Sequence, residues 1–418
     1  MPQFHQQTNH SYKSIRKNSF YLDWNTQPKN FKTYPHFHTR FQIDDVKELE
    51  NLNLIGGITY EKRYPEGQYY LRTNPSAGGL YPCEIYMQIR GVVGFLSGIY
   101  HYEPLGGTLC LLSEIDQDGV EFYFKNQKKQ KGITFLISSI YFRSSWKYRN
   151  RAIRYILLDS GHSLGAIYAT MCVMNKDSKI VFDFDKVALN DTFGFRDDEM
   201  FMVALCATIS NDQLTQPLKE QFSYVSGCDY LEKNSCIEDA YKQSVQYLSN
   251  DIDRFGFFKG IEPKILKNAI TTRRSIRAFR QSSITNEEFA FIVKDIFEFA
   301  KIHTIEIFYT VHRVDGKLKG LYKNQDLLKE GDFSNKSKYL SLEQNIGGES
   351  AVTFYFTSGE IEAYQKVTIL SGFLAQIIYL KSEIEGIGCT GIGAYYDEET
   401  KEFLGTKNNI LYLLAIGR

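Results

Sequence analysis

Apolar and polar positions change rhythm along the chain in an order that comes round twice. Residues 84–90 (EIYMQIR) alternate as strand positions do, and residues 98–102 (GIYHY) resume extended chain after a glycine-rich turn. Residues 134–139 (TFLISS) predict another strand, and a long, mostly apolar helix is expected from about 150 to 173. From residue 264 the pattern restarts. A helix start is predicted near Thr285, Asn286, Glu287 and Glu288, then an aromatic strand over 306–312 (EIFYTVH) and the triplet Gly320-Leu321-Tyr322. A strand over 351–357 (AVTFYFT), a helix over about 363–383 and a closing strand over 410–416 complete the set. Gly98-Ile99-Tyr100 answers to Gly320-Leu321-Tyr322, TFLISS to TFYFTS, and the helix bearing Gly161 to the helix bearing Gly372. The echo is weak in identity and consistent in order, which predicts a tandem duplication that folds as an intramolecular pseudo-dimer.

Three stretches lie outside the echo. The first forty residues are aromatic, basic and poor in strand signals, with Asp23-Trp24 and Gln27-Pro28 suggesting an ordered arm. Residues 44–54 offer a short helix stopped by Gly56-Gly57. Between about 175 and 263 the texture is mixed, with a polar helix over 233–247 and little sharp chemistry. The expected domains are therefore an arm over 1–43, a first copy with its linker over 44–263, and a second copy over 264–418.

Composition narrows the function. A chain of 418 residues that is 43% hydrophobic and 15% aromatic fills a sizeable interior. Forty-nine basic and 49 acidic residues cancel, which argues against nucleic acid bound through a global positive field. The polar opening MPQFHQQTNH is no signal sequence, and Asp159, Gly161 and His162 interrupt the strongest apolar run, so a cytoplasmic protein without a membrane span is expected. The seven cysteines form no CxxC pair and predict reduced, mostly buried thiols with no metal site.

Chemistry concentrates in two distant places. Pro75, Ser76, Ala77, Gly78 and Gly79 make a turn whose glycines permit positive φ and bring backbone amides close to a ligand. In TTRRSIRAF, from Thr271, the residues Arg273, Ser275 and Arg277 alternate, so an extended stretch presents two guanidinium forks and a hydroxyl to one anion, suiting a terminal phosphate. A further run, GIGCTGIGAY from Gly386, holds four glycines in eight residues and reads as a loop that sets amides against a flat ring. It lacks the strand-before, helix-after context of a dinucleotide fingerprint.

Together these strings resemble the nitroreductase-like flavin superfamily, and within it the dehydrogenases that oxidise thiazolines and oxazolines in peptides. The resemblance spans nearly the whole chain and rests on LRTNPSAGGLYPCEIY, GIYHYEP, WKYRNRAIRYILLDSGH, TTRRSIRAF, VHRVDGKLKGLY and GIGCTGIGAYYD, with the amino-terminal LDWNTQP fitting tandem members. It implies an α+β nitroreductase-like fold, duplicated in tandem, with FMN held at an interface between the two copies. Arg273, Ser275 and Arg277 would grip its phosphate, and Arg418 would add a contact. Pro75, Ser76, Ala77 and Gly78 would line the isoalloxazine edge, while Gly393 and Ala394 would present amides near N5. The first half keeps the PSAGG turn but ends its helix in Asn175-Lys176-Asp177-Ser178 and lacks the arginine cluster, and the second half shows the reverse. One flavin site per chain is the expectation.

By the same resemblance Lys147 and Tyr148, placed just before a helix, mark azoline oxidation: one takes a ring proton as hydride leaves to the flavin, and oxygen is the final acceptor. Which of the two is the base stays open. His162 is an alternative base, though a core histidine fits it equally, and Asp159 reads as a packing or hydrogen-bonding residue. The implied substrate is an azoline-containing precursor peptide; a cyclodehydratase partner, leader recognition by a partner and a chain-to-chain homodimer stay open. Two rival functions remain: an NAD(P)H-dependent nitro, quinone or flavin reductase, and a non-catalytic scaffold of a peptide-modifying complex.

Overall fold

The computed structural model describes residues 3–17, 22–64, 67–245, 250–253, 255–360 and 362–418. Two compact units emerge: Asp23–Thr271, and Thr272–Arg418 together with Met1–Leu22. The expected arm over 1–43 is thus divided between the units. The expected boundary at 263/264 falls at the start of the helix Pro263–Thr272, and the observed one falls at its end.

In the unit Asp23–Thr271 the described strands are β1 (Arg40–Gln42), β2 (Ile58–Tyr64), β3 (Gly67–Arg72), β4 (Cys83–Arg90), β5 (Gly98–Glu103), β6 (Thr108–Glu114), β7 (Lys128–Ile140), β8 (Lys179–Val181) and β9 (Glu199–Leu214). β2 and β3 form a separate hairpin, and the others form one sheet in the order β1-β6-β5-β4-β7-β9-β8. Every pairing is antiparallel, with β4 in register against β7 from Cys83↔Ser139 to Arg90↔Gly132. β4 is buried at every position. Its glutamate tolerates that because Arg143 at 2.6 Å and His101 at 2.9 Å meet its two oxygens. Burial opposes ionisation, yet these partners, the Arg143 guanidinium foremost, hold the Glu84 carboxyl down to about 2. Tyr86, Leu136, Phe193, Phe201 and Ala204 belong to the apolar core of this unit.

In the other unit the strands are β10 (Glu306–Val311), β11 (Gly320–Lys323), β12 (Asp326–Glu330), β13 (Val352–Ser358), β14 (Gly388–Ile392) and β15 (Asn409–Gly417). Their order is β12-β11-β10-β13-β15-β14, again antiparallel throughout. Phe308, Leu321, Tyr355, Ile410 and Leu413 share its core. The amino-terminal stretch is fastened here, with His5 Nδ1 at 2.8 Å from the Tyr364 hydroxyl and the His10 amide donating to Asp397.

Strand for strand, β6-β5-β4-β7-β9-β8 and β12-β11-β10-β13-β15-β14 follow one plan, with β1 an added edge in the first. Each sheet also carries one long buried helix between matched strands: Ala152–Val173 after β7, and Tyr364–Ile384 after β13. The helices stop alike. Asn175 (φ 54) and Gly386 (φ 64) take the left-handed conformation, and the next amides, Lys176 and Ile387, reach back to Met171 and Ser382 carbonyls at 2.9 and 2.8 Å. That is the pattern of a Schellman stop, with asparagine in one unit doing what glycine does in the other.

Several expectations are corrected. Residues 44–54 form short 3₁₀ turns (Ile43–Asp45, Lys47–Leu49, Leu52–Ile55) and no α-helix. The mixed stretch after 175 contains β9, and its polar helix spans Ser235–Ser244, with Gln246 and Tyr247 outside the described residues. The glycine run after Gly386 is mostly the edge strand β14. The helix long and apolar enough to cross a membrane is Tyr364–Ile384, 89% buried in its apolar window as a core helix is, and not the run around Ile153.

Candidate functional site

The PSAGG turn leaves β3 and is tied down at both ends. Asn74 Nδ2 donates to Ser163 Oγ at 3.3 Å, the Tyr81 amide donates to Ser76 Oγ at 2.9 Å, and Gly79 N reaches the Ser76 carbonyl at 2.9 Å. Its inner anchor is Asp159. Ser76 Oγ donates to Asp159 Oδ2 at 2.6 Å, and the Ala77 amide is shared between Oδ1 at 3.2 Å and Oδ2 at 3.3 Å. Asp159 is 3% exposed. Burial pushes its carboxyl up to about 7, against the pull of the Ser76 hydroxyl and the Ala77 amide. Tyr69, from β3, donates to the carbonyls of Gly78 and Gly79 at 3.2 and 2.9 Å. Gly78 (φ 64) and Gly79 (φ 67) both need the left-handed region that glycine enters without strain.

Lys147 and Tyr148 stand just before the long helix, as expected, and also close a helix of their own, Tyr141–Tyr148, whose start is held by Arg143 on Glu84 and on the Tyr81 and Gly227 carbonyls. Arg149 follows at φ 51, a costly position for a residue with a Cβ, and the chain re-enters the helix Ala152–Val173 after one 3₁₀ turn. This kink turns the end of the first helix toward the PSAGG turn. A Cβ at Gly78 would lie 2.5 Å from Tyr148 Oη and 3.3 Å from Lys147 Nζ, so the two side-chain tips converge on that glycine.

Aromatic rings surround the pair. Lys147 Nζ lies 4.9 Å from the Trp24 ring and 5.5 Å from the Tyr148 ring, and Tyr148 packs on Tyr155 at 4.4 Å. Trp24 meets Trp146 edge to face at 5.6 Å, and the Trp146 indole donates to Thr26 Oγ1 at 2.9 Å. The LDWNTQP segment thus walls this site. His162 is buried in the long helix.

The other unit carries the cation cluster. Arg273 is 3% exposed, Ser275 is half-buried and Arg277 is exposed. Ser275 bridges to Cys389, and the Ile276 amide donates to the Cys389 carbonyl at 3.2 Å, which extends the cluster alongside β14. Its hub is Tyr379, a residue that carried no mark in the sequence. The Arg273 guanidinium lies 5.4 Å from the Tyr379 ring, Ser275 Oγ lies 2.9 Å from its hydroxyl, and that hydroxyl accepts the Gly391 amide at 2.7 Å. Burial, with Cys389 adding to it, pushes the Tyr379 hydroxyl up to about 12, so it stays neutral beside the Arg273 guanidinium. Gly393 and Ala394 are half-buried just past β14, with the Ala394 carbonyl accepting from Gln344. Arg418 forks onto Glu288, at 3.0 Å for Nη1, and its further partners are the carbonyls of Ser283 and Glu385.

Within each unit the expected residues are therefore brought together: Pro75, Ser76, Ala77 and Gly78 with Lys147 and Tyr148, and Arg273 with Ser275. Asp159, Tyr69, Trp24 and Trp146 in the first unit and Tyr379 in the second complete the two constellations. Asp159 is the one a sequence signal marks, as a carboxylate inside an apolar helix.

Comparison with known proteins places these features. Residues 270–418 match the family model described as "Nitroreductase family", so the second unit carries a nitroreductase family domain. A Methanocaldococcus jannaschii protein named "Putative nitroreductase" is 30% identical over 128 residues, 29% of this chain; the match spans 61% of that relative's length. A crystal structure of a "putative nitroreductase" from Anabaena variabilis ATCC 29413 superposes with TM-score 0.80 at 22% identity, covering 99% of this chain and 98% of that one. The whole chain therefore has a mixed α/β, nitroreductase-like fold.

Proposed function

We propose that this chain is an FMN-dependent dehydrogenase that converts peptide thiazolines and oxazolines to thiazoles and oxazoles. The observation that carries the reading is the convergence of Lys147 Nζ and Tyr148 Oη on Gly78, in a turn built to expose backbone. Matching sheet order and matching helix stops support the further reading that the units are tandem copies.

The residues present fit FMN. A buried guanidinium and a hydroxyl in one extended stretch, with a second guanidinium exposed beside them, suit a phosphate dianion. We assign Arg273, Ser275 and Arg277 to that phosphate, with Arg418 as a further contact. Pro75, Ser76, Ala77 and Gly78 are assigned to the isoalloxazine edge, and Gly393 and Ala394 to amide contacts. The bound flavin supplies a two-electron acceptor for hydride.

The chain's own residues handle the proton. Aromatisation removes one ring proton and one hydride; the Lys147-Tyr148 pair receives the proton, and the rings of Trp24 and Tyr148 place the lysine nitrogen. Oxygen is the terminal acceptor, leaving as hydrogen peroxide. The substrate is an azoline-containing precursor peptide, delivered with a cyclodehydratase partner.

The test is an anaerobic half-reaction that follows flavin absorbance after addition of an azoline-containing peptide, with NADPH in a separate arm. Bleaching by the peptide, with loss of two hydrogens from it, is expected, and Lys147→Ala should slow it by about 10²–10⁴-fold at unchanged flavin content. Bleaching by NADPH alone, insensitive to Lys147, would favour the rival NAD(P)H-dependent nitro, quinone or flavin reductase.

A further inference from the structure

Asp159 is an unusual buried carboxylate. It sits in a buried, mostly apolar helix that also carries Arg154 and His162, and its hydrogen-bond partners are neutral donors, the Ser76 hydroxyl and the Ala77 amide. A carboxylate placed this way offers acceptors only, so it organises donors. Both donors belong to the turn that sets Gly78 against Lys147 and Tyr148, and Ser76 Oγ passes the constraint on by accepting the Tyr81 amide at 2.9 Å.

We propose that Asp159 is the positioning residue of this site: its ionised carboxylate holds the Ser76–Ala77 turn, and through it fixes Gly78 against the Lys147 ammonium and the Tyr148 hydroxyl. Once protonated, the carboxyl gives up acceptor capacity and becomes a donor facing the Ser76 hydroxyl, and the turn loosens. The consequence for turnover rests on the flavin dehydrogenase reading; the consequence for the turn does not.

The surroundings make the group's own charge decisive. Asp159 shares a water-sized cavity with Arg72, Tyr81, Cys83, Glu84 and Tyr102, and His162 follows it on its own helix. Arg72 is committed elsewhere, to the Asn30 carbonyl and the faces of Phe31 and Tyr81, while Glu84 is held by Arg143 and His101. Cys83 is pushed up to about 11 by burial and by Asp159 itself, so it stays a thiol through neutrality. The carboxyl is raised to about 7 by its burial, a range in which burial keeps the Cys83 thiol protonated and Arg143 keeps the Glu84 carboxyl ionised. The sign at the turn comes from the two hydrogen bonds, which pull the carboxyl down against its burial: ionisation favours the held turn, while the burial itself makes the folded chain less stable as pH rises through about 7.

The chain has two tryptophans, and both, Trp24 and Trp146, stand at Lys147. Intrinsic fluorescence therefore reports this site without flavin turnover. In a titration from pH 5 to 9 of the full chain, we expect a fluorescence transition near 7 in the parent protein and none in Asp159→Asn. Ser76→Ala, which keeps the carboxylate but removes its hydroxyl partner, should shift the transition. With azoline peptide, the parent's anaerobic bleaching rate should rise about 10-fold from pH 6 to 8, whereas Asp159→Asn should stay slow and flat. A transition that survives unchanged in both variants overturns the proposal. A transition that Asp159→Asn abolishes, in a protein whose flavin no peptide bleaches, upholds the positioning role and rejects the azoline reading instead.

Discussion

The helices Ala152–Val173 and Tyr364–Ile384 occupy matched places in two sheets of one strand order, yet they put different chemistry at matched positions. Counted from Gly161 and Gly372, Asp159 stands where the other helix has the fully buried Leu370. Tyr168 and Tyr379 also share an offset. Tyr168 packs on Phe255 and Phe258 at 4.8 and 5.6 Å, and its hydroxyl accepts the Phe257 amide at 3.0 Å. Tyr379 instead faces Arg273, Ser275 and the Gly391 amide. One scaffold thus keeps a carboxylate that holds a glycine turn, and the other keeps a tyrosine that holds a cation cluster. The lesson is that one backbone plan with like helix stops carries different side-chain chemistry in the two units.

The strongest way to break this division is Arg273→Ala. A buried guanidinium on a phosphate makes charge-assisted hydrogen bonds of about 1.5–3 kcal/mol, so FMN affinity should fall by roughly 10–100-fold in a flavin titration. Undiminished affinity would mean that the second unit does not hold the phosphate. Tyr379→Phe sharpens the same point more gently. It leaves the ring beneath Arg273 and deletes the hydroxyl shared by Ser275 and Gly391. One lost hydrogen bond of about 0.5–1.5 kcal/mol should weaken FMN roughly 2–10-fold and lower the melting temperature.

Much of the fold was legible because apolar periodicity is local. The strands β4, β5, β10, β13 and β15 and both long helices lie within a few residues of their expected bounds, and the start near Thr285 is a capping box with Glu288. β9 escaped notice for a physical reason: its first nine positions are all buried, so no alternation marks them. The glycine run after Gly386 misled because glycines were read as freedom to turn. Gly388 and Gly391 lie in β14, where a Cβ would collide with Ile276 and with the Tyr412 hydroxyl, so close approach is what requires them there. The sites were legible as strings, whereas their hubs were not. Asp159 meets Ser76 across 83 positions of sequence and Tyr379 meets Ser275 across 104, and nothing in either neighbourhood names such a partner.

The smallest expected effect is the most discriminating. Tyr168→Phe makes at the matched position of the first helix the same chemical change as Tyr379→Phe, deleting one buried hydroxyl. The Phe257 amide at 3.0 Å is orphaned and the Phe258 amide and Cys172 thiol lose the same hydroxyl, which should cost at least about 1 kcal/mol and lower the melting temperature by a few degrees. The rings of Phe255 and Phe258 keep their packing, and no member of the phosphate cluster is among these contacts. Melting temperature should therefore fall comparably in the two variants, while FMN affinity falls only in Tyr379→Phe. Equal losses of affinity would show that a helix tyrosine supports flavin through general stability, and the division of chemistry between the two helices would fail at a position where both carry tyrosine.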